Sequence, residues 1–311
     1  MRILFIILSI TVSRPDSLSF LFWNLENFFD PRPDSTSASE LAFSAFGECH
    51  WSRKRYDRKV GMVGKTILWS AARYGSQPAI MGFAELEKKR VLTDLVRHTA
   101  LRKQNYSVVH FDSPDPRGID VGLIYRKKFL TLLRAGPVHV YDSAGAVLPT
   151  RDILLAEFGL PDGDSLAVMV CHFPSKFGGV SASAPKRNAA VRRLENVTDS
   201  LSAKGFRRIV AMGDFNDTPE HVSPRGLVNA ALPLWKGGRG TIRYEGTWEL
   251  IDMFFISPDL SGSVRMEIAE PPFLLAEDRK YGGTKPLRTY SGPRYLGGVS
   301  DHLPILLLPG K

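Results

Sequence analysis

Residues 209–219 hold the pattern that most restricts how this chain can fold. The apolar run 209–212 stops at Gly213, and Asp214 and Asn216 follow almost at once. A short apolar run that ends at glycine and polar residues is typical of a buried strand whose end reaches the rim of a sheet. Side chains two residues apart on an extended segment point the same way, so Asp214 and Asn216 would face one site. A strand followed by an ordinary Asx turn also fits this pattern. Whether the pattern marks a functional site or only a turn depends on how many similar strand ends the chain contains.

The composition is that of a globular protein with a basic balance. The chain has 311 residues, of which 43% are hydrophobic and 23% charged, so it can bury a large core. The formal net charge of +9 favours anionic partners such as nucleic acid, phosphorylated metabolites or lipid headgroups. The basic residues are dispersed, and each short cluster of them also fits a solvated face. Two cysteines permit one disulfide at most, and no apolar run is long enough to predict a membrane span.

The first seventeen residues contain a compact apolar segment close to the N-terminus. Arg2 precedes an apolar segment at residues 3–12, and Ser13 follows it. A positive residue, a short apolar core and a small residue are typical of a secretory signal, with a strand extension as the alternative. We therefore expect residues 1–17 to be a signal peptide or an N-terminal extension and residues 18–311 to form a single domain. The expected location is secreted or periplasmic, and otherwise cytoplasmic.

Hydrophobic periodicity predicts three helices, at residues 57–74, 89–99 and 185–203, with Ser183 as the cap of the third. Short apolar runs predict strands at residues 18–23, 78–84, 106–111, 119–125, 129–140, 151–158, 165–171, 208–213, 241–244, 249–256, 264–268 and 303–308.

The order of these elements predicts the fold class. Helices alternate with strands early in the chain, whereas hairpin-like pairs follow later, which favours an α/β protein with mixed sheets. Residues 241–244 and 249–256 are predicted to pair with each other. Residues 271–298 are predicted to form a long irregular loop, and long ordered loops are often functional.

Polar side chains recur at the ends of the predicted strands or alone within them. These side chains are Asn24, Glu85, His172, Asp214 with Asn216, Asp252, and Asp301 with His302. Most have an ordinary alternative: a histidine can be satisfied in a core, an Asp-His pair can cap a strand, and Glu85 can favour a helix N-terminus. Asp252 differs because burying a charge within an apolar strand is costly without a partner. Six such coincidences in one chain favour a shared site.

At these positions the sequence resembles the endonuclease/exonuclease/phosphatase superfamily, the pancreatic-deoxyribonuclease-like metal-dependent phosphodiesterases and phosphatases. The resemblance covers residues 18–310 and rests on Phe22-Trp-Asn24, Gly82-Phe-Ala-Glu85, His172, Gly213-Asp-Phe-Asn216, Ile251-Asp252 and Ser300-Asp-His302. Further motifs resemble a bacterial branch of that family: Trp51…Arg55-Tyr56, Arg117-Gly-Ile-Asp120, His172-Phe-Pro-Ser175 and Lys280-Tyr-Gly-Gly…Arg288-Thr-Tyr290.

The resemblance implies a fold and a metal site. The fold would be a four-layer α/β sandwich, with two mixed β-sheets face to face, helices outside, and the active site where strand ends from both sheets meet. Glu85 would be the main metal ligand, with Asn24 and Asp301 close by. Hard oxygen ligands beside a phosphate suit Mg²⁺ or Mn²⁺ rather than zinc.

The resemblance also implies catalytic roles. Asp214 would orient or deprotonate the attacking water, and Asn216 would hold a non-bridging phosphate oxygen. His302 would stabilise charge at the phosphorus centre, with Asp252 fixing its tautomer. His172 would lie on the other flank, as a donor to the phosphate or to the leaving oxygen. Many nucleases of the superfamily have a tyrosine at this point of the chain, so His172 argues against abasic-site repair.

Three residues are expected to bind substrate, namely Arg117, Asp120 and Ser175. Arg117 would contact a phosphate, although it can equally close the Pro-Arg-Gly turn. Asp120 is the predicted partner of His172, with an ordinary turn acid as the alternative.

The sequence therefore predicts a divalent-metal-dependent hydrolase of phosphate esters. The specific expectation is a phosphodiesterase or endonuclease that acts on nucleic acid. An activated water would attack the phosphorus in line with the leaving oxygen. The alternative keeps the site but changes the substrate to a phosphomonoester or to a lipid phosphodiester of the inositol-phosphate or sphingomyelin type. A non-catalytic binding protein on the same fold is a third interpretation. The expected partner is a phosphate-ester substrate, and the expected state is a monomer.

Overall fold

The structure is a computed structural model that describes residues 18–32, 37–176 and 178–310. The predicted signal or extension at residues 1–17 lies outside the described residues. In chain order the strands are β1 (Phe20–Phe28), β2 (Ile80–Leu86), β3 (Tyr106–His110), β4 (Asp120–Arg126), β5 (Thr131–Val138), β6 (Ile153–Gly159), β7 (Ser165–His172), β8 (Arg208–Asp214), β9 (Val228–Asn229), β10 (Ile242–Tyr244), β11 (Thr247–Glu249), β12 (Asp252–Ile256), β13 (Val264–Ile268), β14 (Leu275–Glu277), β15 (Thr284–Pro286), β16 (Tyr290–Ser291), β17 (Arg294–Tyr295) and β18 (Ile305–Pro309).

The helices are shorter in total than the strands. The α-helices are α1 (Ala38–Ala42), α2 (Arg53–Tyr74), α3 (Lys89–His98), α4 (Val180–Ala203) and α5 (Leu232–Lys236). Short 3-10 helices cover Ala100–Gln104, Pro258–Leu260 and Pro272–Leu274.

Two six-stranded mixed sheets organise these elements. The first sheet has the order β13-β18-β1-β2-β4-β3, and the second has the order β5-β6-β7-β8-β12-β9. Each sheet has one parallel pair, β1 with β2 and β7 with β8, and its other neighbours are antiparallel. Parallel neighbours end at the same edge of a sheet, which brings the ends of β1 and β2, and likewise of β7 and β8, together.

The two sheets pack against each other through apolar side chains. Gly82 on β2 lies so close to β8 and β7 that an added Cβ would come within 2.8 Å of Met212 Cε and 3.1 Å of Val170 Cγ1. Elsewhere in the interface the rings of Tyr125 on β4 and Phe158 on β6 lie 5.0 Å apart. The inner faces of both sheets therefore form one core, and the predicted sandwich of two mixed sheets with helices outside is confirmed.

The helices cover the outer faces as the periodicity predicts, but two of them begin earlier. Helix α2 starts at Arg53, where the Ser52 hydroxyl accepts a hydrogen bond from the N–H of Arg55 at 3.4 Å. Helix α4 starts at Val180, and Ser183 lies inside it with its Oγ donating to the carbonyl of Gly179 at 2.7 Å. The predicted Ser183 cap is therefore wrong. Residues 180–184 are small and show no helical spacing of apolar residues, so nothing in the sequence indicated that the helix begins before residue 185.

One predicted strand pairing is also wrong. Strand β10 pairs with β11 through a two-residue turn, and β12 instead joins the second sheet beside β8. Both turn residues, Glu245 and Gly246, have positive φ angles of 46° and 82°, the geometry of a tight hairpin. Residues 271–298 are likewise not wholly irregular, since they contain the hairpins β14–β15 and β16–β17.

Both cysteines, Cys49 and Cys171, are buried and free. Among the described residues, no helix combines the length and the apolar character that crossing a membrane requires.

Candidate active site

Side chains from both sheets meet where the parallel strands end. Asn24 lies at the middle of β1, where the regular pairing with β2 stops, and Glu85 lies near the end of β2. His172 and Asp214 are the last residues of β7 and β8. Asp252 is the first residue of the antiparallel β12, so its Cα pairs directly with that of Asp214. His302 enters from the segment before β18, held by its N–H to Ser300 Oγ at 3.0 Å. The chain therefore gathers its predicted catalytic residues at one edge of the sandwich.

Asp214 is the centre of this cluster. Its Oδ2 accepts a hydrogen bond from Asn24 Nδ2 at 3.1 Å and lies 3.6 Å from His172 Nε2 and 3.9 Å from His302 Nε2. Its Oδ1 accepts the N–H of Asn216 at 2.9 Å. One carboxylate thus contacts or faces two amides and two imidazoles: Asn24, Asn216, His172 and His302.

Burial changes the acidity of this central acid. Desolvation is the largest cause and raises the pKa of Asp214 to about 7, with the neighbouring Asp252 adding to the effect and His302 opposing it. The carboxylate can therefore exchange a proton near neutral pH, as a general base requires.

His302 and Asp252 form one flank of the site. His302 Nδ1 lies 2.8 Å from Asp252 Oδ2, and both side chains are buried. Burial alone would lower the pKa of His302, but the contacts with Asp252, Asp214 and Asp301 outweigh it and raise the pKa well above its usual value. This imidazole is therefore positively charged at neutral pH, with Nε2 facing Asp214.

His172 forms the other flank and is in a different environment. Its Nε2 lies 3.9 Å from Glu85 Oε1, and its buried Nδ1 has no hydrogen-bond partner among the described residues. Burial is the main cause that lowers its pKa well below the usual value, and Arg151 and Arg117 add to the effect. His172 is therefore a neutral imidazole at neutral pH.

The residues predicted to bind a metal offer carboxylate and amide oxygens, which are hard ligands. Glu85 sits at a backbone irregularity with φ of 61°, and its Oε2 accepts the N–H of Asn27 at 2.7 Å. Asn24 turns Nδ2 towards Glu85 Oε1, 3.3 Å away, while its Oδ1 accepts the N–H of Glu26. Asp301 is more exposed and pairs through Oδ2 with Arg288 at 3.0 Å. Two carboxylates and an amide fit Mg²⁺ or Mn²⁺, which prefer oxygen ligands.

A second grouping of possible ligands adjoins this one, through the hydrogen bond from Asn24 to Asp214. Asp214, Asp252 and His302 each place a ligand atom within 4.8 Å of the others. However, His302 Nδ1 and Asp252 Oδ2 are already joined by a 2.8 Å hydrogen bond, which makes them an acid–imidazole pair.

The expected substrate-binding residues are not all at the site. Asp120 accepts hydrogen bonds from the N–H and Oγ of Ser113 and lies 3.3 Å from His110 Nε2. The predicted pairing of Asp120 with His172 is therefore wrong. Asp120 begins β4, opposite Leu86 at the end of β2, so its position on the strand turns it to a different cluster.

Arg117 and Ser175 lie beside the His172 flank. Arg117 is half exposed, and its Nε lies 3.6 Å from Asp115 Oδ1. Together with Ser175 it lines a hollow of about 540 Å³ that also contains Arg151 and Lys186. Asn216 donates through Nδ2 to the carbonyl of Phe173 at 2.8 Å.

A network of hydrogen bonds and ion pairs around Lys59 and Glu26 was not expected from the sequence. Lys59 Nζ donates to the carbonyl of Glu26 at 2.7 Å and to Thr289 Oγ1 at 2.8 Å. Glu26 Oε1 lies 3.2 Å from Arg288 Nε, which links this network to Asp301. Burial is the main cause that raises the pKa of Glu26 to about 7 and lowers that of Lys59 to about 8.

One signal in the sequence could have revealed this network. Lys59 precedes Val63 and Ile67 by four and eight positions, so a charged residue lies on the apolar stripe of α2. A lysine at such a position needs a buried partner.

Comparison with known proteins shows the family. The sequence profile of the Endonuclease/Exonuclease/phosphatase family matches residues 19–309, and the chain belongs to this family. The resemblance found in the sequence is thus confirmed, and the members of the family are hydrolases of phosphoester bonds. Comparison with curated protein sequences found no match.

Solved structures of the same fold match nearly the whole chain at low identity. An endonuclease/exonuclease/phosphatase family protein from Bacteroides thetaiotaomicron is 17% identical, with a TM-score of 0.57 and coverage of 94% of this chain and 96% of that one. A mannosyl-6-phosphatase from the same species is 16% identical, with a TM-score of 0.57 and coverage of 95% and 100%. D. rerio TDP2 in complex with a single-strand DNA product is 16% identical, with a TM-score of 0.53 and coverage of 95% and 99%. At these identities the likeness concerns the fold.

Proposed function

We propose that this protein is a divalent-metal-dependent phosphodiesterase that hydrolyses nucleic acid by in-line attack of water. The observation that carries the proposal is the position of Asp214. This buried acid lies between a charged and a neutral imidazole and accepts a hydrogen bond from Asn24, which also faces Glu85. Phosphodiester hydrolysis needs a base for water, donors for the phosphate oxygens and a cation, and this arrangement offers candidates for each.

Glu85 would hold Mg²⁺ or Mn²⁺, with Asp301 beside it and with Asn24 if its amide rotates to present Oδ1. The ion would neutralise charge on the phosphate and the leaving oxygen. Arg288 would have to share or release Asp301, since the two form a 3.0 Å ion pair.

Asp214 would take a proton from the attacking water. Its pKa of about 7 matches this role, because a base titrating near the working pH combines availability with proton affinity. His302 would donate from Nε2 to a phosphate oxygen, and its hydrogen bond to Asp252 keeps the ring charged and oriented.

His172 and Asn216 would complete the contacts with the phosphate. His172 stays neutral, so it would act as a hydrogen-bond donor rather than as a second positive charge. Asn216 uses one N–H on Phe173 and would offer the other to a non-bridging oxygen.

A substrate panel tests this proposal. Purified protein is assayed on single-stranded DNA, duplex DNA, RNA, bis-p-nitrophenyl phosphate, p-nitrophenyl phosphate, an inositol phosphate and sphingomyelin, with Mg²⁺ and with EDTA. We expect Mg²⁺-dependent cleavage of the nucleic acids and of the small diester. Preference for a monoester or a lipid would replace the phosphodiesterase assignment, and no hydrolysis of any ester would reject it.

The substitution Asp214→Asn separates catalysis from binding. It should abolish turnover while leaving the fold and nucleic-acid binding intact. If the wild type and this variant bind nucleic acid equally and neither cleaves it, the protein is a binding module.

A further inference from the structure

A furrow lies beside the candidate active site on the His172 side and follows helix α4. It consists of three adjoining hollows with volumes of about 540, 200 and 530 Å³. Lys186 lines both the first and the second, and Arg192 lines both the second and the third. From Lys186 to Asn196 the furrow follows ten residues of helix, which corresponds to about 15 Å at the usual rise.

The first hollow adjoins the residues proposed to bind the reacting phosphate. The carbonyl of Phe173 accepts hydrogen bonds from Asn216 Nδ2 at 2.8 Å and from Arg151 Nη2 at 2.6 Å. Arg151 lines the hollow, and so do Pro174 and Ser175, which follow His172 closely in the chain. A polymer whose phosphate lies between His172 and Asn216 could therefore continue into the furrow.

The lining of the furrow is strongly basic. Its charged residues are Arg117, Arg151, Lys186, Arg192, Arg193 and Arg225 against Asp142 and Glu195.

Both acids are already engaged. Asp142 Oδ1 accepts the N–H groups of Ala144 and Ala146 at 2.8 and 2.9 Å, and Glu195 pairs with Arg225 at 3.6 Å. The basic side chains in the middle are not neutralised in this way.

Within the described part of the chain, Lys186, Arg192 and Arg193 form no ion pair. Arg193 Nε is in addition buried without a hydrogen-bond partner in that part. The positive charge along α4 is therefore available to a polyanion.

An aromatic ring accompanies these charges. Tyr141 is 39% exposed and lines the third hollow, with the guanidinium carbon of Arg193 5.3 Å from its ring centroid. Bases of single-stranded nucleic acid stack on exposed aromatic rings and on arginine planes while their phosphates follow a basic groove.

We propose that this furrow binds the single-stranded segment of a nucleic acid that continues from the scissile phosphate. The inference rests on the proposed phosphodiesterase function and narrows its substrate class. A duplex would not use the furrow in this way, because its paired and stacked bases could not lie against the ring of Tyr141.

Charge reversal within the furrow tests the inference. The variant Arg192→Glu/Arg193→Glu is compared with Arg97→Glu/Lys103→Glu, which makes the same charge change at exposed residues at and beyond the end of α3. Binding of a fluorescein-labelled single-stranded oligonucleotide is measured by anisotropy in EDTA, across a series of salt concentrations.

The furrow variant should bind at least about tenfold more weakly, and its log–log salt slope should fall by about 1.4, as expected for two lost phosphate contacts on a single strand. The control should bind within about twofold of the wild type. Tyr141→Ala should weaken binding by about tenfold with an unchanged salt slope, because stacking on the ring is lost and no charge is removed.

Hydrolysis of bis-p-nitrophenyl phosphate distinguishes the two proposals. The furrow variant should hydrolyse this small diester at the wild-type rate while losing activity on the oligonucleotide. If the wild type cleaves the small diester but the furrow variant binds and cleaves the oligonucleotide normally, the furrow proposal is wrong and the function stands. If the wild type hydrolyses nothing yet the furrow variant loses oligonucleotide binding, the function is wrong and the furrow stands. Equal binding of a blunt duplex, weakened equally by the charge reversal, would overturn the restriction to single strands.

Discussion

The two flanks of Asp214 contain the same side chain in opposite states. His172 and His302 are both buried and place Nε2 at 3.6 and 3.9 Å from the same oxygen of Asp214. Burial lowers the pKa of both, yet the pKa of His302 ends well above the usual value and that of His172 well below it.

The cause of the difference is the second neighbour of each ring. His302 donates to a buried carboxylate, whereas the Nδ1 of His172 has no partner among the described residues and two arginines lie on its side. An ion pair can offset the desolvation of an imidazolium, and without one the ring stays neutral. The site therefore holds one positive charge and one neutral donor around a single acid.

The substitution Asp214→Asn should have the largest effect, because it removes the group that both flanks share. We expect kcat to fall by about 10³-fold or more, since a general base contributes roughly 10² to 10⁴ in rate. Steady-state kinetics on the preferred diester measures this loss. Asp162→Asn, which alters an exposed ion pair with Arg208, is the matched control and should leave kcat unchanged. An equal kcat in both variants would show that Asp214 is not the general base.

The substitution Asp252→Asn should make the protonation state of His302 resemble that of His172. Without the carboxylate the pKa of His302 should fall, and kcat should drop by about 10²-fold. A histidine NMR titration reports the pKa directly. Asp152→Asn alters the pair between His139 and Asp152 at 2.9 Å and serves as the control. An unchanged His302 titration would show that Asp252 does not hold the charge.

The same pair predicts how stability depends on pH. The pKa of folded His302 lies above that of the unfolded residue, so the contribution of the pair is fully present below the unfolded value. It should be lost as the pH rises through the folded pKa. The difference in unfolding free energy between the wild type and Asp252→Asn, measured by urea denaturation, should therefore shrink on the alkaline side. A difference that grows there would contradict the assignment.

The substitution Arg117→Ala should change the His172 flank more mildly. Arg117 is half exposed, so its removal should raise the pKa of His172 towards the usual value without disturbing the fold. If Arg117 makes the phosphate contact expected from the sequence, its loss should raise KM about three- to tenfold with little change in kcat. Kinetics and the same NMR titration check both parts, with Arg97→Ala as the control for removing a surface charge.

The substitution Asp120→Asn should have the smallest effect on activity. Asp120 bonds to Ser113 and faces His110, away from both flanks. We expect kcat/KM within about twofold of the wild type and a loss of stability of about 1–2 kcal/mol from the weakened hydrogen bonds. A large loss of activity with unchanged stability would show that Asp120 takes part in catalysis or substrate binding.

Most of the fold and much of the cluster could be predicted because their signals are local. The apolar runs of β7 and β8 end at His172 and Asp214, and the parallel pairing that follows from a helical crossover brings such ends together. Asp252 was recognisable as a buried acid that needed a partner. Its partner is His302 at 2.8 Å, fifty residues away in the chain.

Contacts between distant segments could not be predicted in the same way. Asp120 stands in a motif that suggested a partner for His172, but its place on β4 turns it to Ser113 and His110. Lys59 and Glu26 meet only because α2 packs behind β1. Arg288 reaches Glu26 and Asp301 from a segment in which no periodicity predicted order.

The sequence by itself determined the family, the alternation of strands and helices, and which polar residues stand at strand ends, because these depend on side-chain period and on motifs along the chain. Only the tertiary structure decided which histidine carries the charge, which acids face Asp214, and that a basic furrow lies beside the site and follows α4. Those properties depend on burial and on distances between residues far apart in sequence, and such distances exist only once the two sheets have packed.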